Sequence, residues 1–245
     1  MDSLGGKPGR GSKVTSSLPE VPVTVQRKVW EQPDNDVRIP QPGTARANLA
    51  ATYDRPQGTT EEDWAERHKH QSALQQHLDF FDRDHDGIVW PADTYHTFRA
   101  IGFGIPFSLF SVVAIHGAMA YPTNATILPD LRFPIHLSRI HKDKHGSDTG
   151  AYDSEGRFVP QKFEEIFTKY AHGRDYMTLD DVWGLLRGQH VLGDHVGRGA
   201  AVLEWVTLYL MLWPEDGRMA KEDVRRVYDG SIFHVMAERQ KKAGR

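Results

Sequence analysis

Between residues 61 and 81 the chain reads EEDWAERHKHQSALQQHLDFF, with apolar or aromatic side chains at Trp64, Leu74, Leu78 and Phe81 and good helix formers between them. That spacing predicts one helix over the stretch. A polar loop, DRDHDGIVWPAD, follows, and TYHTFRAIGFG then continues as a second helix that Gly102 and Gly104 weaken or end. The pattern changes in kind at residues 103–121, FGIPFSLFSVVAIHGAMAY, which are almost wholly uncharged and apolar apart from two serines and His116. As a helix this stretch is about 28 Å long, just enough to span hydrocarbon. Pro106 and several glycines interrupt it, however, and Pro122, Pro129 and Pro134 crowd its exit. A chain that enters an apolar phase and turns back at a proline-rich bend needs only one leaflet, so a monotopic lipid-embedded segment is expected. A buried core helix is the competing reading, and the low mean hydropathy of the whole chain, −0.55, lends it weight.

Inside the polar loop, Asp82, Asp84 and Asp86 are followed by Gly87 and apolar Val89, which matches positions one, three, five, six and eight of an EF-hand. The alternation lets side-chain oxygens converge on one hard cation, and the glycine permits the sharp bend. The Ile88 carbonyl would add a backbone ligand. Asp93 stands at position twelve in place of the usual glutamate, so a calcium affinity below that of a glutamate-closed loop is expected. Two echoes of the pattern lie downstream, YDSEGRF around Gly156 and PEDGRM around Gly217, without the full set of acidic oxygens. They read as degenerate hands that partner the competent one. Thr178 before LDDVWGLL reads as a helix N-cap, and AAVLEWVTLYLML as a strongly apolar helix.

The expected fold is therefore mainly α: EF-hand-like helix–loop–helix units, one competent and the others degenerate, with a central apolar lipid-associating segment. The expected boundaries are a mobile N-terminal arm over 1–60, rich in Gly, Pro, Ser and charge, an EF-hand over 61–102, the apolar segment with its bend over 103–135, and a helical region over 136–240. No charged start followed by an apolar run suggests a secretory leader. A net charge of −3 gives no electrostatic case for nucleic acid. The absence of cysteine removes disulfides, zinc–thiolate sites, thiol nucleophiles and thiolate-ligated haem. It leaves 13 histidines as the chemistry to explain. His116, inside the apolar stretch, reads best as a neutral imidazole hydrogen-bonded in protein. His77 lies five residues before Asp82, where its position would respond to the ion. His145 sits beside His141, Lys142 and Lys144, a cationic strip able to receive carboxylates such as haem propionates. On the residues alone, His136 and His141 stay open beside His77 and His145 as haem ligands.

The blocks LQQHLDFFDRDHDGIVWP, FRAIGFG, FPIHLSRIHKDKHGSD, YDSEGRF, FEEIFTKYA, EWVTLYL and YDGSIF, in this order over about residues 70–240, resemble the caleosins, calcium-binding lipid-droplet proteins that include haem-dependent peroxygenases. The resemblance implies calcium in one EF-hand, and haem b held by the histidines of the QQH and KHGSD blocks, here His77 and His145. It also implies a proline-knotted apolar anchor on lipid droplets or endoplasmic reticulum, facing the cytosol. The usual P-S-P cluster of the knot reads PDL at Pro129–Leu131, with Pro134 kept, a departure that bears on anchoring depth. The activity implied is transfer of one oxygen from a fatty-acid hydroperoxide to an unsaturated lipid, by epoxidation or hydroxylation. The peroxide supplies both oxygen and oxidising equivalents, in keeping with the lack of a dinucleotide fingerprint. The rival reading is a non-enzymatic calcium-responsive coat or tether on lipid droplets. Homo-oligomerisation is open on either reading.

Overall fold

The computed structural model describes residues 30–31 and 38–244. The helix expected over 61–81 is divided. A 3-10 turn, Glu61–Asp63, leads into a short helix α1, Trp64–Arg67, and the chain then turns before α2, Ala73–Asp79. The break has a local cause. The Ser72 hydroxyl accepts the Gln75 amide at 3.3 Å while the Gln75 side chain accepts the Ser72 amide at 2.8 Å, a capping box that starts a new helix at residue 73. After the acidic loop come strand β1, Ile88–Val89, and helix α3, Pro91–Ala100, so the first helix–loop–helix hand is present where the sequence placed it.

Its partner is not one of the two echoes. β1 pairs antiparallel with β2, Ile135–His136, in the register Ile88 to His136 and Val89 to Ile135. The place of a second hand is thus taken by the apolar helix α4, Ile105–Thr123, the proline-rich bend, β2 and a 3-10 stretch, Leu137–Asp143. A second pair of hands follows. Helices α5, Pro160–Lys169, and α6, Leu179–Gln189, flank strand β3, Tyr176–Met177; helices α7, His195–Leu212, and α8, Lys221–Tyr228, flank strand β4, Met219–Ala220. β3 and β4 pair antiparallel, so the PEDGRM echo is a hand whose partner is the loop after α5. The YDSEGRF echo is a correction: it folds as a turn ahead of α5, with Asp153 Oδ1 accepting the Glu155 and Arg157 amides at 2.9 Å each and Gly156 at φ 75°. Helix α9, Ser231–Lys242, closes the chain. Thr178 caps α6 as expected, its hydroxyl accepting the Asp181 amide at 3.4 Å.

The core runs through both pairs. Phe158, Phe163, Met177, Val182, Met219 and Val224 are fully buried within it, and side chains of this size contribute about 1.5–3 kcal/mol each on burial. The segment expected as a mobile arm is in part a packed strap, while residues 1–29 and 32–37 lie outside the described residues. Arg46 and Phe158 exchange both backbone hydrogen bonds, at 2.6 and 2.8 Å, and Ile39, Ala50 and Thr59 are buried. Arg225, 1% exposed, holds the strap from α8: its guanidinium donates to Asp229, Glu222, the Thr59 hydroxyl and the Ala50 carbonyl.

Helix α4 is built inside out. Ser108, Ser111, His116 and Thr123 face the protein, whereas Leu109, Phe110 and Val113 face outward, Val113 being 73% exposed. The inward hydroxyls are satisfied along the helix itself, Ser108 on the Gly104 carbonyl at 3.0 Å, Ser111 on Phe107 at 2.9 Å and Thr123 on Met119 at 2.8 Å. The exposed apolar surface continues through Ile127, Leu128 and Leu131 of the bend. Because the apolar stretch of α4 is only 22% buried, the core-helix reading does not hold. An apolar face of this extent marks a site of contact with an apolar phase or partner.

Candidate functional site

The acidic loop is shaped by its own backbone. Asp82, 3% exposed, accepts the Asp86 amide through Oδ1 at 3.2 Å and the Gly87 amide through Oδ2 at 2.8 Å, while Asp86 Oδ1 accepts the Ile88 amide at 2.8 Å. Gly87 takes φ 85°, a value that favours glycine, so the chain can fold back at position six. Ligand oxygens of Asp82, Asp84 and Asp86 then lie within 4.8 Å of one another, a trio able to hold a metal ion. Burial pushes the Asp82 carboxyl up, the two loop amides pull it down, and the charges of Asp86 and Asp84 push it up again. Such crowded carboxylates are what a cation relieves. Asp93 is differently engaged, its Oδ2 accepting the Trp90 amide at 3.0 Å at the start of α3.

His77, on α2, donates Nδ1–H to the Val227 carbonyl of α8 at 2.7 Å and lies edge-on to Phe233 with ring centroids 5.2 Å apart. Burial holds its pKa below the ordinary imidazole value, so the ring is neutral and Nε2 carries the lone pair. A neutral imidazole whose other nitrogen donates to a carbonyl is the arrangement metal-ligating histidines adopt. His145 is different. Its Nε2 lies 3.9 Å from the Glu204 carboxylate of α7, and its Nδ1 is buried with no hydrogen-bond partner among the described residues. Glu204 raises its pKa against the opposing effect of burial.

Glu204 gathers the site. Its charge is felt by His77, His145, Tyr152, Tyr228 and Asp143, whose carboxyl is pushed up to about 6, chiefly by burial and next by Glu204. The Tyr152 hydroxyl donates to the Tyr228 carbonyl at 2.5 Å, binding the segment after His145 to α8. The structure thus places His145 beside Glu204, whose charge also reaches His77. Lys144 is committed elsewhere, with its ammonium on Asp148 at 3.0 Å and on the Tyr152 carbonyl, while Lys142 is exposed. His136 lies in the β1–β2 ladder. His116 is fully engaged: Nδ1 donates to the Phe133 carbonyl at 2.7 Å and Nε2 accepts the Thr94 hydroxyl at 2.8 Å. That is the neutral, protein-bound imidazole expected of it.

Glu204 and Asp143 were missed at the level of sequence. Glu204 left one signal, as the sole charge in AAVLEWVTLYLML. Asp143 left none, because charged neighbours surround it in the chain and only the fold buries it.

Two pairs of helix–loop–helix hands, one loop keeping its acidic trio and one hand replaced by an inside-out apolar helix, define a class of modified EF-hand protein. Residues 69–237 match the family model described as caleosin related protein. The chain belongs to the caleosin family. It is 40% identical over 215 residues to a peroxygenase of Lilium longiflorum, covering 87% of each chain. It is 42% identical over 168 residues to probable peroxygenase 4 of Arabidopsis thaliana, covering 68% of this chain and 86% of that one. A probable inactive peroxygenase-like protein of Arabidopsis thaliana is 31% identical over 144 residues, 58% of this chain and 69% of its own. No solved structure matches the chain.

Proposed function

We propose that this caleosin is a calcium-binding haem peroxygenase that passes one oxygen atom from a fatty-acid hydroperoxide to an unsaturated acyl chain at a lipid surface. Peroxygenase activity as such follows from the family and from relatives bearing that name. The observation that carries the finer reading is the pair of imidazoles, His145 beside Glu204 and His77 within reach of its charge, each with one ring nitrogen free of hydrogen bonds among the described residues. The free Nε2 of His77 and the buried Nδ1 of His145, without a partner among the described residues, suit these two side chains to hold an iron porphyrin. Haem b, when bound, supplies the iron at which the hydroperoxide O–O bond is split and one oxygen is handed on.

The roles divide by protonation. His77 is neutral and oriented by the Val227 carbonyl, and it would hold the iron. His145, set beside Glu204, would pass the hydroperoxide's own proton to the departing alcohol oxygen. The balance is closed: the hydroperoxide becomes an alcohol, the double bond an epoxide, and no reductant enters. Lys142, exposed beside this site, is available to a propionate; Lys144 would have to leave Asp148 to serve. Asp82, Asp84, Asp86, the Ile88 carbonyl and Asp93 are the proposed calcium ligands. The outward face of α4 and the bend would rest on a droplet or endoplasmic-reticulum surface and bring the acyl substrate to the site.

The test is replacement of each histidine. His77→Ala should abolish the Soret band. His145→Ala should keep it and slow hydroperoxide cleavage about 10²–10⁴-fold. Retention of haem and full activity in both variants would overturn the assignment. A coat or tether, which the apolar face alone could serve, predicts no Soret band in the purified protein.

A further inference from the structure

Asp194 stands at the start of α7, and its carboxylate does two things at once. Oδ1 accepts the Gly197 amide at 2.8 Å and so caps the helix. Oδ2 accepts the amide and the hydroxyl of Ser147, at 2.9 and 2.8 Å, and the Ser147 hydroxyl in turn accepts the Val191 amide at 3.2 Å. Ser147 is buried and lies two residues after His145. The same helix, entered after the turn at Gly193, presents Glu204 to His145, its carboxylate 3.9 Å from Nε2. The loop that carries His145 is therefore fixed to both the first turn of α7 and the carboxylate further along it.

We infer that Asp194 is a positioning residue for His145, fixing the imidazole relative to Glu204 by locking its loop to the helix that bears Glu204. Two further facts support a built arrangement. A Cβ placed on Gly197 would meet Asp194 Oδ2 at 2.2 Å and Oδ1 at 2.6 Å, so the carboxylate occupies the space that any other residue at 197 would fill. A Cβ on Gly146 would come within 3.4 Å of the same Oδ2. Glycine at both positions lets the charged oxygen sit against both backbones. The inference rests on the role given to His145 above.

The experiment uses the full chain with haem bound, four single variants and one double variant. Asp194→Ala removes the clamp. Gly197→Ala keeps the carboxylate but pushes it away from its partners, because the new Cβ would meet Asp194 Oδ2. Thr178→Ala removes a comparable cap, on α6, away from Ser147. His145→Ala is combined with Asp194→Ala in a double-mutant cycle. Asp194→Ala and Gly197→Ala should each lower kcat for hydroperoxide cleavage about 10–100-fold with KM little changed, since small misplacement of a reacting group is costly. Thr178→Ala should leave kcat unaltered. The double variant should be no slower than His145→Ala, because the clamp acts through that ring. In haem-free protein labelled at histidine, the His145 imidazole signal should move in the Asp194 and Gly197 variants and stay in place in Thr178→Ala.

The inference is overturned if Asp194→Ala and Gly197→Ala cleave hydroperoxide at the unmodified rate. It is equally overturned if the losses of Asp194→Ala and His145→Ala add in full, or if Thr178→Ala lowers kcat and moves the His145 signal as much as Asp194→Ala does. If His145→Ala itself leaves cleavage intact, the failure belongs to the role given to His145, and the imidazole signal still decides whether Asp194 sets its place.

Discussion

Asp93 stands where the last oxygen of the acidic loop should close on the ion, yet its Oδ2 accepts the Trp90 amide at 3.0 Å. A carboxylate on so short an arm has to serve helix and ion together. Glutamate at the same third position of the helix completes a capping box with a longer reach. Asp93→Glu should therefore tighten calcium binding, by about tenfold or ~1.4 kcal/mol, as measured by calorimetry; equal or weaker binding would count against the argument. A second residue pair has a pH signature. Burial disfavours the charged form of His68, but the nearby Asp79 and the Trp64 carbonyl raise its pKa overall. Burial likewise pushes Asp79 up, but His68 and Gln71 hold it below the usual carboxylate range. The raised imidazole stabilises the fold below its unfolded value of about 6.5 and ceases to do so as pH rises through the folded one. The lowered carboxylate stabilises above its unfolded value of about 3.9 and ceases to do so as pH falls through the folded one. Asp79→Asn should thus lower the thermal midpoint most between about pH 4 and 6.5, with the difference shrinking toward pH 8. An equal loss at pH 5.5 and pH 8 would show that the charge pair is not its source. Residues whose chemistry is written in local spacing, such as Asp82, Asp84 and Asp86, were legible in the sequence. Glu204, Asp143 and Asp194 were not: α7 brings Glu204 and Asp194 to the His145 loop from more than 45 positions away, and Asp143 is partly buried by contacts the chain order does not record.

At the scale of elements, a local signal located the start of α6, where the Thr178 side chain caps the helix. Ser72 is an equally local cap, but the apolar spacing from Trp64 to Phe81 runs across it and hides the break. Strand pairing was the harder matter. Two-residue strands carry too little pattern to reveal a partner, so the first loop was matched to its sequence echoes, while β2 at the exit of the proline bend is what pairs with it. The bend is tied to that hand a second time, through Thr94, His116 and the Phe133 carbonyl. The apolar character of α4 was legible and the direction it faces was not, because a hydropathy pattern cannot say that serines turn inward. Val113→Asp, at a position 73% exposed, tests the direction. It should weaken flotation with lipid vesicles about tenfold while leaving the melting temperature within a few degrees and calcium binding unchanged. Loss of fold and calcium binding together would place Val113 in a core.

Across the whole molecule, the strap from residue 38 to residue 60 is held by charges that lie far away in sequence. Arg225 donates to Asp229 at 2.8 Å deep in the protein and reaches the Thr59 hydroxyl at 2.7 Å, while Lys221 lies between Asp54 and Glu164 at 2.7 Å from each. Removing one partner of a buried pair leaves the other charge uncompensated. Asp229→Ala should therefore cost about 3–5 kcal/mol, read as a lower denaturation midpoint, with protease cutting first within 38–60. Little change in the midpoint would mean that Glu222 alone satisfies the guanidinium. The Val227 carbonyl that orients His77 belongs to the same α8. That has a consequence for the order in which the protein is made. Helix α4 is complete at Thr123, but α8 ends at Tyr228, and at ~5–20 residues per second a ribosome takes roughly 5–20 s to travel between them. For that interval the newborn chain displays its apolar helix while the segment that orients His77 has yet to be synthesised, so the apolar face of α4 is exposed before the surroundings of His77 can close.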